Sequence, residues 1–560
     1  MNIWARRTFT LLLLPLLAFH EDSSASDTDD PLYRYQWHLK NVGQRAIGDV
    51  LPTAGVDLNM GTLYEQGVTG KGVTVGVNDD VPIDPTNPDL ADNLIIKTVQ
   101  PDSAYLSGST GGHSIAAGGH STAVAGIIGA RAHNGIGGRG VAPDVRILDL
   151  HVPEAKGRAM PRIVNVSAGG TAPIFLQQAD EQDADDRLDD RNKSLLVVSA
   201  GNEFLEADGI SQEDCAQITR GSGVSCLPGA TNMLGSLPNA LAVGAINANG
   251  VKSSYSSTGS IIWVSATGGE YGMQRNYLRS VGDAGKINGM PAYMFSPAIV
   301  TTDRVGCDQG MKTAGDNFFD NRGKPSALNP RCLFTARMNG TSSAAPAVTG
   351  VTALMLQVNP KLTWREIKYI LATTARRIDR NRPDVLYHGT LLDKGWVRNA
   401  AGHYFSNAYG FGLVDATRAV AAARHFSPLP EIRDSHWITY AGTPVPVGYR
   451  NTSGSVRITA RSRLKIETVH IRLKTTHPMP SNLRVTVVSP SGTVSTVLTG
   501  LAFLLPTPDG FAISLAASNA FLDEDARGTW TVQVTDVLDP SARSKYRITQ
   551  AGIRIFGRAI

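Results

Sequence analysis

Asn339-Gly340-Thr341-Ser342-Ser343-Ala344-Ala345-Pro346 runs directly into an apolar stretch that ends at Leu356. A segment with so little polarity has no face to give to water, so it reads as a helix through the middle of a core. The serine near its start then has its hydroxyl and N–H at a helix N-terminus, where partial positive charge favours a developing anion. Pro346 suits this if it falls in or near the first turn, where a missing N–H costs little. The same run also fits an ordinary Ser-capped helix. Whether Ser342 is reactive therefore depends on the rest of the chain.

Two upstream motifs bear on that question. In Lys71-Gly-Val-Thr-Val-Gly-Val-Asn-Asp79-Asp80, the alternating valines form a short buried strand that delivers a carboxylate at its C-terminal end. That edge of an open α/β sheet is where ligands and catalytic groups gather. In Gly119-His120-Ser121-Thr122-Ala123-Val124-Ala125-Gly126, a histidine opens a helix of small and apolar residues. His113, in a similar Gly-Gly-His setting, lacks that continuation and is the weaker candidate. The order is Asp, His, Ser. The α/β-hydrolases run Ser, Asp, His with G-x-S-x-G, and the chymotrypsin order is His, Asp, Ser. Asp–His–Ser is the subtilisin order. With the flanking sequences in agreement, the first three quarters of the chain resemble the subtilisin-like serine proteases.

The resemblance implies roles. Ser342 is the nucleophile, His120 the base, and Asp79, preferred over Asp80, orients the imidazole. Asn202, at the end of Leu195-Leu-Val-Val-Ser-Ala-Gly-Asn, is the oxyanion donor beside the Ser342 N–H. Two positions depart from the family pattern, which has glycine where Ser121 follows the histidine and, in kexins, where Val81 follows Asp79-Asp80. Neither removes a reacting group, so an active enzyme is expected.

At 560 residues two domains are expected. A net charge of +4 and no basic cluster interleaved with aromatics argue against nucleic-acid binding. Arg6-Arg7, the apolar run 8–19 and the small residues around Ala25 read as a secretory signal peptide over residues 1–25. That run is too short to span a bilayer, and no later segment does so. A secreted or periplasmic protein suits four cysteines. Pairing neighbours, Cys215 with Cys226 and Cys307 with Cys332, is the simplest of three connectivities, and the spacings fit no zinc pattern. Little chain separates the signal peptide from Asp30-Pro31. With no room for a propeptide, the enzyme is expected to fold unaided or with a separate chaperone acting in trans.

Apolar runs at 145–150, 163–167, 195–200 and Ala240–Ile246 read as buried parallel strands. Residues 361–375 read as a helix capped at Thr363. Together these make a three-layer α/β domain over 30–425. Residues 427–455 are rich in Pro, Gly and Ser and read as a linker and first turn. Period-two segments over 456–560 then predict an antiparallel β-sandwich. Ser489-Pro-Ser-Gly-Thr493 and Asp523-Glu-Asp-Ala-Arg-Gly-Thr-Trp530 resemble the P domain of kexin and furin. The resemblance to the kexin branch thus covers nearly the whole chain after the signal peptide.

That resemblance also implies a calcium site, with Asp30, Asp89 and Asn134 as side-chain ligands and carbonyls from Arg131, Ile136 and Gly138. The backbone of Ser167, Ala168, Gly169 and Gly201 is expected to hold an extended protein or peptide substrate, with Asp80 at a neighbouring subsite. The second calcium site of furin and its dibasic specificity are not expected. Residues 165–170 and 227–232 lack the carboxylates on which they rest, which leaves Glu213 or Asp214 as possible sources of a basic preference. The reading is a secreted, calcium-stabilised serine endopeptidase. Its rivals are a catalytically vestigial binding protein, a secreted esterase and a strict dibasic processing protease.

Overall fold

The structure is a computed structural model and describes residues 30–100, 118–167, 170–175 and 194–560. Residues 1–25, read as a signal peptide, His113, Ala168 and Gly169 lie outside the described residues.

Six parallel strands form the first sheet: β1 (Thr74–Asn78), β2 (Arg146–Asp149), β3 (Ile163–Val166), β4 (Leu195–Ser199), β5 (Ala240–Ile246) and β6 (Ile262–Thr267). Their order across the sheet is β2-β1-β3-β4-β5-β6. β3, β5 and β6 are buried along their whole length, which is why they read as continuous apolar runs without alternation. The helix Thr341–Val358 packs on β3 to β6 and on the helix His120–Gly129, and it is buried from Thr341 to Leu356. Its small residues let it lie that close.

Pro346 is the sixth residue of this helix, near the first turn but just past it, where its missing N–H leaves a carbonyl without its helical bond. Its ring nitrogen has no proton to give to the carbonyl four residues back, which belongs to Ser342. The helix Trp364–Thr374 opens on a capping box in which Thr363 and Glu366 bond each other's backbone N–H groups.

The second unit is a sandwich of two sheets. One is built on Leu464–Thr475, Ala512–Ser518 and the last strand Arg547–Ala559. The other is built on Gly454–Ala460, Gly528–Asp536, Leu483–Val488 and Val494–Thr499. Pairing is antiparallel except where Gly448–Tyr449 meets Gly528–Asp536. Trp530, Phe521, Val485 and Ile553 are among the residues filling the space between the sheets. Within 427–455, the short strands Ile432–Asp434, Ile438–Thr439 and Val445–Pro446 all pair with the last strand. That stretch therefore contributes strands to the sandwich.

The two units share core and charge. Ala520 and Leu522 pack into the apolar core of the first unit. Arg365 pairs with Glu467 at 2.5 Å, and Asp523 accepts from His403 and Tyr369, each at 2.9 Å.

Candidate active site

The parallel strands end on one edge, and the candidate residues gather there. Asp79 follows the last residue of β1, with its side chain 1% exposed. Its Oδ1 lies 2.7 Å from Nδ1 of His120, the first residue of its helix. Asp80 is exposed beyond it and donates its backbone N–H to the same carboxylate oxygen at 2.8 Å. Burial by itself would push the imidazole pKa down. The Asp79 carboxylate, through charge and hydrogen bond, and then Asp80 outweigh it, and the His120 pKa is raised. The two departures from the family pattern meet here, since the Ser121 hydroxyl donates to the Val81 carbonyl. This bond ties the turn after Asp79 to the helix that carries His120.

Ser342 is the second residue of its helix, after Gly340 as cap. Its hydroxyl donates to the Ser167 carbonyl at 3.2 Å, and the Ser167 hydroxyl donates back to the Ser342 carbonyl at 3.1 Å. The second bond fills the place that Pro346 leaves empty. Asn202 stands just beyond β4. Its Oδ1 accepts from the N–H of Thr341 at 2.8 Å and from the Thr341 hydroxyl at 3.0 Å. With that oxygen committed, the amide nitrogen is the end left to donate elsewhere. The Gly201 N–H bonds the Thr341 hydroxyl at 3.2 Å, and the Gly340 N–H bonds the Tyr255 hydroxyl at 2.8 Å. The turn carrying Ser342 is thus held by Ser167, Gly201, Asn202 and Tyr255. Chemically, an imidazole of raised basicity on a buried carboxylate suits base-assisted attack by a hydroxyl.

The segments read as pocket walls contain no carboxylate, but the fold brings one to them. Glu203 lies against Gly170 and Gly201, so close that a Cβ on either glycine would come within 2.4 Å of a carboxylate oxygen. Glu203 directly follows Asn202 in the chain, but a one-dimensional reading gives no direction for its side chain. Glu213 and Asp214 are instead exposed on the helix Gln212–Ile218, where Asp214 bonds the cap residue Ser211.

The residues implied for calcium converge in part. Asp30 and Asp89 are both buried, and the backbone bond from Leu32 to Gly137 joins the Asp30 segment to the loop after Asn134. Asp89 Oδ1 accepts from Asn134 Nδ2 at 2.7 Å, while Asp89 Oδ2 is buried with no hydrogen-bond partner. Burial, reinforced by the charge of Asp30, pushes the Asp89 carboxyl up to about 8. Arg139 pairs with Asp30 at 2.7 Å, and the Arg131 side chain turns away to Asp92 at 2.5 Å. Among the described residues no group of three or more His, Cys, Asp or Glu is arranged to hold a metal. Two carboxylates with amide and backbone oxygens remain. An unpartnered buried carboxylate oxygen in such a set fits a hard cation. The cysteines pair as 215 with 226 and 307 with 332.

Residues 70–412 match the subtilase family, and residues 466–550 match the proprotein convertase P-domain. An extracellular serine protease of Aeromonas sobria is 31% identical over 595 aligned positions, covering 95% of this chain and 89% of its own. Furin of Rattus norvegicus is 25% identical across 95% of this chain and 58% of its own length. The crystal structure of the Aeromonas sobria serine protease superposes with a TM-score of 0.78 at 27% identity, over 95% of this chain and 96% of that one. The same protease in complex with a chaperone gives 0.77 at 26% identity, with the same coverage of both chains.

Proposed function

This chain belongs to the subtilase family, and on that premise we propose that it is an exported endopeptidase acting through Asp79, His120 and Ser342. It is a serine protease with a P domain. The observation that carries the assignment of roles is the 2.7 Å contact of His120 with buried Asp79, on the edge that also holds Ser342 at its helix start.

The Ser342 hydroxyl leaves the Ser167 carbonyl and turns its proton to Nε2 of His120, while Nδ1 keeps its bond to Asp79. Oγ attacks the scissile carbonyl. The oxyanion is received by the Ser342 N–H and the Asn202 amide. His120 returns the proton to the leaving amine, and an acyl-enzyme forms. A water deprotonated by His120 then releases the acid. The backbone of Ser167 and Gly201 lies along an extended substrate, with Asp80 at a neighbouring subsite.

Bound calcium supplies structural stability and no reacting group. Asp30, Asp89 and Asn134 would hold it with backbone oxygens of Arg131, Ile136 and Gly138, after the Asn134 carboxamide turns its oxygen inward. Two disulfides and the N-terminal segment read as a signal peptide support export, as does a relative named as extracellular. No helix among the described residues is long and apolar enough to cross a membrane. A relative was crystallised with a chaperone, which supports a folding partner acting in trans for this chain.

Fluorophosphonate labelling with peptide and ester turnover tests the assignment. The native protein is expected to label at Ser342 and cleave peptides, and Ser342→Ala to lose both while unfolding at the same temperature. Labelling that survives in Ser342→Ala, or that maps to Ser343, refutes it.

A further inference from the structure

Three successive backbone N–H groups lead into the helix of Ser342, and the two before the nucleophile are bonded to side chains. The Gly340 N–H donates to the Tyr255 hydroxyl at 2.8 Å, and the Thr341 N–H donates to Asn202 Oδ1 at 2.8 Å. The third belongs to Ser342 and is one of the two proposed oxyanion donors. Gly340 caps the helix with φ +92°, so no helical carbonyl serves its N–H. A Cβ there would lie 3.2 Å from the Asn202 amide nitrogen. Glycine thus lets this peptide approach the second donor.

Tyr255 is buried in the connection between β5 and β6, and its hydroxyl works in both directions. It accepts from Gly340 and donates to the carbonyls of Gly269 and Gly268, at 2.7 and 3.0 Å. Burial, reinforced by the charge of Glu270, holds its pKa well above the ordinary tyrosine value, so the proton stays in place. The receiving turn is itself fixed, because Gly268 and Gly269 both give their N–H groups to the Ile246 carbonyl, at 2.9 and 3.0 Å. A Cβ on Gly268 would sit 3.0 Å from the Gly340 carbonyl oxygen and 3.2 Å from the Tyr255 hydroxyl. The segment that carries Tyr255 is anchored as well. The Lys252 ammonium donates to the carbonyls of Ser253 and Ser256 at 2.9 and 3.1 Å. Glu270 accepts from the N–H and the hydroxyl of Ser254 at 2.8 and 2.7 Å.

We propose that Tyr255 is a positioning residue for the reaction, its hydroxyl aiming the Ser342 N–H and the Asn202 amide at the place where the oxyanion forms. The proposal rests on the roles read for Ser342 and Asn202 above. Peptide units are planar, so fixing the N–H directions of Gly340 and Thr341 leaves the next N–H little freedom. The same turn sets the Asn202 carboxamide, whose oxygen is spent on Thr341 and whose nitrogen is the donor. Losing the hydroxyl therefore turns both donors. Donors that meet a charge formed only in the transition state govern rate and not substrate binding.

Tyr255→Phe removes the oxygen and keeps the ring. Active enzyme is counted by fluorophosphonate titration. Turnover of a fluorogenic peptide is measured together with inhibition by the matching peptide aldehyde, whose hemiacetal oxygen takes the oxyanion's place. The variant is expected to lose at least about tenfold in kcat with KM within about twofold, and to bind the aldehyde more weakly by a similar factor. Asn202→Ala should lower kcat too, and adding Tyr255→Phe to it should cost clearly less than in the native background, since one donor is already gone. A tyrosine that only braces the core would lower the unfolding temperature and leave kcat per titrated site and aldehyde binding unchanged. That result overturns the proposal, as does a loss independent of Asn202→Ala or confined to KM. Should Tyr255→Phe fail to fold, Ser254→Ala loosens the turn that carries the tyrosine and keeps its hydroxyl. It should show the same split at smaller size, and an unchanged kcat there overturns the proposal. A native protein that neither labels nor cleaves any peptide refutes the underlying site instead.

Discussion

Ser167 and Ser342 are joined twice, hydroxyl to carbonyl in each direction, at 3.1 and 3.2 Å. The first bond exists because Pro346 cannot supply the helical N–H that the Ser342 carbonyl would otherwise accept. A proline inside the buried helix thus opens a socket beside the nucleophile, and the residue after β3 fills it. Ser167→Ala should leave that carbonyl unsatisfied and cost about 1–3 kcal/mol of unfolding free energy. In a Pro346→Ala background, where the N–H is restored, the same substitution should cost clearly less. Urea unfolding of the four proteins measures this coupling, and equal costs in both backgrounds would show the bond to be incidental.

The charge of Asp80 is part of what raises the His120 pKa. The base must be neutral to accept the Ser342 proton, so activity falls as pH drops through this pKa. Because the pKa is raised, the acidic limb of kcat/KM should have its midpoint above the ordinary histidine value near 6.5. Asp80→Asn removes a negative neighbour and should move the limb to lower pH. A limb that stays in place contradicts this account of the imidazole.

Asp89 Oδ2 is a buried oxygen with no partner, and calcium is proposed to supply one. A ligand that binds only the folded state stabilises by about 2.7 kcal/mol at a hundred times its Kd. Calcium should therefore raise the Tm of the native protein, and a chelator should lower it and speed autolysis. Asp89→Ala should abolish the difference between the two conditions while costing less in initial turnover than in Tm. A native Tm indifferent to both additives would exclude the site.

The sandwich packs into the first unit. Asn399 donates to the carbonyls of Ala520 and Leu522 at 3.0 and 2.9 Å, and the side chains of Ala520 and Leu522 lie in the apolar core of the first unit. A chain ending near residue 425 should lose this packing and the ion pair of Arg365 with Glu467. It should then show a broadened, lower thermal transition and little activity. Normal folding and cleavage by that shortened chain would show the P domain to be dispensable.

Much of this protein is legible along the chain because it depends on local pattern. Continuous apolar runs become β3, β4 and β5, and Thr363 with Glu366 caps its helix, since burial on both faces and capping are properties of neighbouring residues. The order of Asp79, His120 and Ser342, with their flanks, points to the family before any distance is known. Long-range placement is a different matter. Nothing near Pro346 in the chain says that Ser167 will occupy its missing bond. Neither Ser121 nor Val81 suggests alone that each is the other's partner. Glu203 follows Asn202 in plain view, but its place against both Gly170 and Gly201 is made when β3 and β4 lie side by side and two glycines admit its carboxylate. Periodicity and motifs report what each residue is next to in the chain, whereas pocket charge depends on which distant segments the parallel sheet brings to one edge.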